Sequence, residues 1–145
     1  MTTPAPTEYR IHARSSRAGT AVVDAADDRI EIDARWGPPP TGRPGPADLL
    51  ASAFAACLLK NLARAGDLLG FEYREAEVDV VARRQDSPPL FVEIRYELRI
   101  STDEPARRLE LVHQNLRKFG TVYNTLAAVC DVHGEVVATT SAPPA

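Results

Sequence analysis

The stretch 46–70 limits the possible folds more than any other part of the chain. Pro46 suits a first helical position, where its missing N–H is no loss. The residues after it are dominated by alanine and leucine, which favour helix, up to Gly70. They predict one long helix that stops at that glycine. Across 49–59 Ser52 is the one polar residue, so apolar surface runs around nearly the whole circumference. Such a helix is expected to be central and buried on most sides. Ala51, Ala53, Ala55 and Ala56 would let neighbouring elements approach its backbone closely.

The apolar run 49–59 is about half of the ~20 residues needed to cross a bilayer, which predicts no membrane span and no membrane partner. The start, Met1-Thr2-Thr3-Pro4-Ala5-Pro6-Thr7, has neither a basic segment nor an apolar core. No secretory signal is expected, which places the chain in the cytoplasm. With 145 residues, 44% hydrophobic and 26% charged, the composition fits one globular domain over 1–145. Collagen, long coiled coil and wholesale disorder are excluded. The net charge of −3, with basic residues scattered along the chain, argues against nucleic acid as a partner.

Around the long helix the apolar pattern changes period. From Tyr9 it alternates through Ile11 and Ala13, then Ala21 and Val23, then Ile30 and Ile32, which predicts a three-stranded meander. The segment 36–46 is rich in proline and glycine and is expected to be a connecting loop. After Gly70, alternation over 76–83 and again over 90–100 predicts a long antiparallel hairpin turning at 85–89. Thr102-Asp103-Glu104-Pro105 resembles the start of a helix whose apolar face is Leu109, Val112, Leu116 and Phe119, with Gly120 as its stop. A short helix over 122–129 and a strand over 132–138 complete an α+β chain with antiparallel sheets. The termini, 1–7 and 140–145, are expected to be tails.

Two cysteines, Cys57 and Cys130, form no CxxC pair and are too few for a disulfide scaffold. Each is either a small packed hydrophobe or a reactive thiol, and a separation of 73 residues does not show whether they meet. His12, His113 and His133 have no metal-ligand spacing with the cysteines, so surface or structural roles and no metal or other cofactor are expected. Phe54, Tyr123 and Trp36 are either ordinary core or the lining of an apolar pocket near Cys57.

The residues around both cysteines resemble the OsmC/Ohr family, bacterial thiol peroxidases of osmotic and organic-hydroperoxide stress. The resemblance is carried by Gly45-Pro46-Ala47-Asp48-Leu49-Leu50-Ala51-Ser52-Ala53-Phe54-Ala55-Ala56-Cys57, and by Asn115-Leu116-Arg117-Lys118-Phe119-Gly120-Thr121-Val122-Tyr123-Asn124-Thr125-Leu126 running into Cys130. The element order agrees over 9–138. The resemblance implies an OsmC-like fold and an intertwined homodimer with two active sites near the subunit interface. It implies that Cys57 is the peroxidatic residue, that Cys130 resolves its sulfenic acid, and that an external dithiol restores the pair. It makes Arg14 the cation beside the thiolate and the hydroperoxide substrate, with Arg17 as the substitute if the turn shifts register.

Two positions depart from the family pattern. The glutamate that orients the arginine, ten residues before the reactive cysteine, is here Ala47. The neighbouring Asp48 would lie roughly 180° from Cys57 on a regular helix, and is better matched to the helix dipole. The proline that follows the second cysteine is here Asp131, a carboxylate that would disfavour a nearby thiolate if it points inward. The Ala47 departure raises an alternative, an OsmC-fold protein that binds a small apolar molecule with negligible turnover. A redox sensor acting on a partner surface ranks behind both.

Overall fold

The computed structural model describes residues 3–139, so the expected tail 140–145 and the first two residues of the expected tail 1–7 lie outside the described residues. Residues 3–11 are exposed and take neither helix nor strand. The chain divides between Leu49 and Leu50 into two compact units.

In the first unit, β1 (His12–Ser15), β2 (Ala21–Ala25) and β3 (Asp28–Glu31) form an antiparallel meander in the order β1-β2-β3. The first strand starts later than the alternation from Tyr9 suggests, and Tyr9 and Ile11 are 85% and 60% exposed. The register explains this. His12 pairs with Asp24, so Ile11 would fall opposite Ala25, the last residue of β2, and earlier residues would face the turn at Ala26 with no strand to bind. Paired residues share a face, which puts His12, Arg14, Asp24 and Arg29 together and leaves Ala13, Val23 and Ile30 on the other side. The loop after β3 is held by Asp33, whose carboxylate accepts the N–H groups of Arg35 and Thr41. These bonds, the one from Arg35 foremost, keep that carboxyl below the usual range.

The second unit is built on α1 (Pro46–Leu69), whose first turn belongs to the preceding unit and which stops where Gly70 adopts φ +62°. Its buried stripe is Phe54, Leu58, Leu62 and Ala65. Burial on most sides is not what the single chain shows. Leu50 and Leu59 are 38% and 39% exposed, because one stripe meets the core and the rest of the circumference is left partly open. The expectation about membranes also needs revision in its premise. The helix around the short apolar run has 24 residues, enough to cross a membrane by length and composition alone. A core helix passes the same test, and here the buried stripe belongs to the core of this unit. The helix also contains one glycine, Gly66, where a Cβ would come within 3.3 Å of the Phe71 carbonyl and 3.2 Å of the Tyr73 ring.

Against α1 lies the sheet β4-β5-β6, made of β4 (Glu75–Asp86), β5 (Pro89–Ser101) and β6 (Asp131–Thr139). The hairpin β4/β5 is antiparallel, as expected, but β6 runs parallel to β5. The reason lies in the connection. Two helices, α2 (Ala106–Phe119) and α3 (Thr121–Ala127), carry the chain from the end of β5 back to the end where β5 began, so the returning strand must point the same way. The start of α2 differs too: Thr102 accepts the Glu104 N–H as part of a turn, and Pro105 holds the N-cap position without a side-chain cap. The core joins Phe54, Leu58 and Leu62 of α1 to Ile94, Leu98 and Ile100 of β5 and Leu116 of α2. Tyr96 lies across from Gly134, and a Cβ at that glycine would fall on the Tyr96 ring and carbonyl.

Candidate thiol site

Cys57 sits beside the buried stripe of α1, three residues after Phe54, and is half-buried with its thiol free. One turn further on, the Asn61 side-chain amide donates to the Cys57 carbonyl at 2.9 Å and to Sγ at 3.5 Å. The junction between α2 and α3 closes over the same sulfur. A Cβ on Gly120 would lie 3.1 Å from Cys57 Sγ, 3.0 Å from Tyr123 Cβ and 2.9 Å from the Leu116 carbonyl. The backbone of Gly120 has an ordinary φ of −74°, so space, and not conformation, requires a glycine there.

The aromatic residues behind this junction are linked. Phe54 stacks on Tyr123 with ring centroids 5.5 Å apart, and Tyr96 meets Tyr123 edge-on. The Tyr96 hydroxyl lies 2.7 Å from His113 Nε2 and 3.4 Å from the Tyr123 hydroxyl. Burial, and then the neighbouring Tyr123, push the Tyr96 phenol above its usual range. Burial, reinforced by Arg117 and opposed by Glu110, pulls the His113 imidazole down, which keeps it neutral near pH 7. A neutral ring with its proton on Nδ1 can accept the Tyr96 O–H at Nε2. Of the three aromatic candidates, Phe54 and Tyr123 thus belong to the core beside Cys57, whereas Trp36, in the first unit, is 99% exposed.

Cys130 follows α3 and is also a free, half-buried thiol at the margin of the same core. Its S–H donates to the Leu126 carbonyl at 3.3 Å. Burial first, and the Asp131 carboxylate second, push its thiol up. The sign anticipated for Asp131 is therefore the one found, with burial as the larger cause.

Arg14 stands in the first unit, on β1. Its guanidinium reaches Asp24 at 3.3 Å, and Asp24 also accepts from Arg29 at 2.8 Å. Arg29 foremost, with Arg14 and His12 adding to it, keeps the Asp24 carboxyl low. Arg17 lies in the turn after β1, where it lines a shallow depression with Thr20 and Arg35. Ala47 brings no carboxylate, and the Asp48 side chain accepts the Gly45 N–H at 2.9 Å at the start of α1. Glu8, just before the meander, pairs with Arg10, and Glu31, at the end of β3, pairs with Arg43. Asp24 escapes a reading of the sequence because only the β1/β2 register makes it the diagonal neighbour of Arg14. Asn61, Gly120, Tyr96 and His113 were likewise hidden, since each meets the site through a contact that crosses elements or a helical turn.

The arrangement thus holds two free thiols at the edge of one core, one under a glycine junction. A sequence profile of the OsmC-like protein family matches residues 39–133. The chain belongs to the OsmC-like family. Solved structures agree on the fold. An OsmC-like protein from Mycoplasma pneumoniae superposes with a TM-score of 0.83 at 19% identity, covering 93% of this chain and 99% of its own. An organic hydroperoxide resistance protein OsmC from Legionella pneumophila gives 0.72 at 16% identity, covering 92% and 100%. The organic hydroperoxide resistance protein OhrB of Bacillus subtilis gives 0.60 at 22% identity, covering 90% and 98%. No curated protein matches the chain. The expected α+β, OsmC-like fold is the one observed, with one parallel strand pair in an otherwise antiparallel arrangement.

Proposed function

We propose that this OsmC-like protein has a redox role in stress defence and reduces hydroperoxides through its two cysteines. The observation that carries the reading is that Cys57 and Cys130 are both free, both partly accessible and both packed at the margin of one core cluster. In the reaction, the Cys57 thiolate attacks one oxygen of the hydroperoxide, the O–O bond breaks, and the other oxygen leaves as an alcohol or water after taking a proton. Cys57 is then a sulfenic acid. The Cys130 thiol attacks that sulfur, a disulfide forms and water leaves. An external dithiol returns both sulfurs to the thiol state by exchange.

Arg14 is proposed as the cation for the thiolate and peroxide, the role that the family resemblance gives it. Asp24 takes the orienting part that Ala47 has lost, supported by its contact with Arg14 at 3.3 Å. A homodimer is proposed as well, in which a second copy would cover part of the α1 circumference that the single chain leaves open, where Leu50 and Leu59 flank the buried stripe on opposite sides.

Stopped-flow oxidation of the reduced protein by cumene hydroperoxide and by hydrogen peroxide tests the reading. Fast consumption should vanish in Cys57→Ser, stall at the sulfenic or overoxidised acid in Cys130→Ser, and fall at least tenfold in Arg14→Ala. A second reading is favoured by Ala47 and by the exposure of the Arg14 side chain, which is 52% open. It makes the protein a binder of a small apolar molecule with negligible turnover. Wild-type rates no faster than free cysteine would select it.

A further inference from the structure

The outer face of the β4-β5-β6 sheet carries a cluster that the thiol chemistry does not use. In the parallel register Glu93 lies beside Asp131 and Arg95 beside His133, so Glu93, Asp131 and His133 project from one face. The His133 Nε2 is 2.9 Å from Glu93 Oε2 and 3.9 Å from Asp131 Oδ2. One donor atom from each residue falls within 4.8 Å of the others. Ligands about 2.1 Å from a tetrahedral ion stand roughly 3.4 Å apart, so the first two separations bracket the value that zinc needs. The other Glu93 oxygen, Oε1, is occupied by Arg83 at 3.3 Å and by Arg95 at 4.0 Å. Those guanidiniums fix the carboxylate so that Oε2 is the atom turned toward His133, as outer hydrogen bonds orient metal-binding carboxylates. On its other side His133 borders a groove lined by Asp79, Arg95 and Glu135, which leaves room for water or a ligand at an open position.

We propose that Glu93, Asp131 and His133 form a three-ligand site for a divalent cation of the zinc class, with its open position toward this groove. Two carboxylates and a neutral imidazole balance the charge of such an ion and supply the oxygen and nitrogen donors it accepts. Neither cysteine is among its ligands, although Asp131 also pushes up the Cys130 thiol, and the proposal does not depend on the peroxidase reading. Spacing measured from the cysteines hides it, because Glu93 comes forty residues before His133.

The test is a calorimetric titration with zinc ions of the full chain carrying Cys57→Ser and Cys130→Ser, which removes the thiols as competing ligands. One zinc per chain is expected, with the affinity at least about tenfold weaker when His133→Ala or Glu93→Gln is added. Circular dichroism is the check that each variant is folded, and neither residue belongs to the buried core. Absence of zinc binding up to millimolar concentration in the cysteine-free protein overturns the proposal. So does an affinity that neither added substitution changes.

Discussion

The surroundings of the two cysteines share one core and treat sulfur in opposite ways. Cys57 receives a hydrogen bond, from Asn61, and Cys130 gives one, to the Leu126 carbonyl. An anion on Cys57 keeps its partner, whereas an anion on Cys130 must give up its S–H donor and face the Asp131 carboxylate. Backbone acts differently as well. Gly120 brings the α2–α3 junction close to Cys57, while Cys130 closes the last turn after α3 through its N–H to Leu126. The contrast teaches that one core can offer its two thiols opposite surroundings, a hydrogen-bond donor at the first sulfur and an acceptor with a carboxylate beside it at the second.

The strongest way to break this contrast is Gly120→Ala. The new methyl would stand 2.9 Å from the Leu116 carbonyl, closer than side-chain carbons are found, so α2 or Tyr123 must shift. Overpacking of this kind costs about 1–3 kcal/mol, which urea unfolding will measure. The same methyl covers the Cys57 sulfur, so alkylation of Cys57 by iodoacetamide should slow while that of Cys130 does not. An unchanged Cys57 rate would show that the junction does not shape access to this thiol.

A smaller effect is expected from Asn61→Ala. It removes the donor to the Cys57 sulfur and leaves the neighbourhood of Cys130 as it was. A hydrogen bond of about 1 kcal/mol corresponds to roughly a fivefold slower alkylation of Cys57 at neutral pH. If both thiols slow together, the amide acts through the fold and the contrast loses its local cause.

Which of these features the sequence could show depends on how local their causes are. The long helix, its stop at Gly70 and the two alternating strands follow from period and from single residues, and they stand where periodicity puts them. The direction of β6 does not follow in this way, because alternation marks faces and says nothing of the strand at the edge it joins. Asp24 reaches Arg14 through the register of two strands, and His113 reaches Tyr96 from a helix onto a sheet. Gly120 looked like a helix stop and acts also as a space left for the Cys57 sulfur, a role set by a residue 63 positions earlier. The exposed side of α1 shows the reverse error. An apolar circumference predicts burial, but it does not name the molecule that does the burying.

The last and smallest effect separates the two neighbourhoods by pH. His113, behind the Gly120 junction, has an imidazole held below its usual range by burial. The unfolded chain therefore takes up this proton first as pH falls, so the contribution is full above about 6.5 and is lost below it. Cys130 has the opposite sign. Its thiol is raised, by burial and then by Asp131, so the unfolded chain releases that proton first. Stability is then full below about 8.5 and declines as pH rises through that value toward the higher folded one. Tyr96, raised by burial, adds a further loss that starts only near pH 10, and Asp24, Asp33 and Glu93, all held low, act at more acid pH than His113. Urea midpoints measured from pH 5 to pH 9.5 should thus fall at both ends. His113→Gln should flatten the acid arm alone, Cys130→Ala should flatten the alkaline arm alone, and Asp131→Asn should reduce the alkaline arm by less than Cys130→Ala because burial is the larger cause. An alkaline arm that survives Cys130→Ala would place the proton release elsewhere and remove the main electrostatic difference between the two thiols.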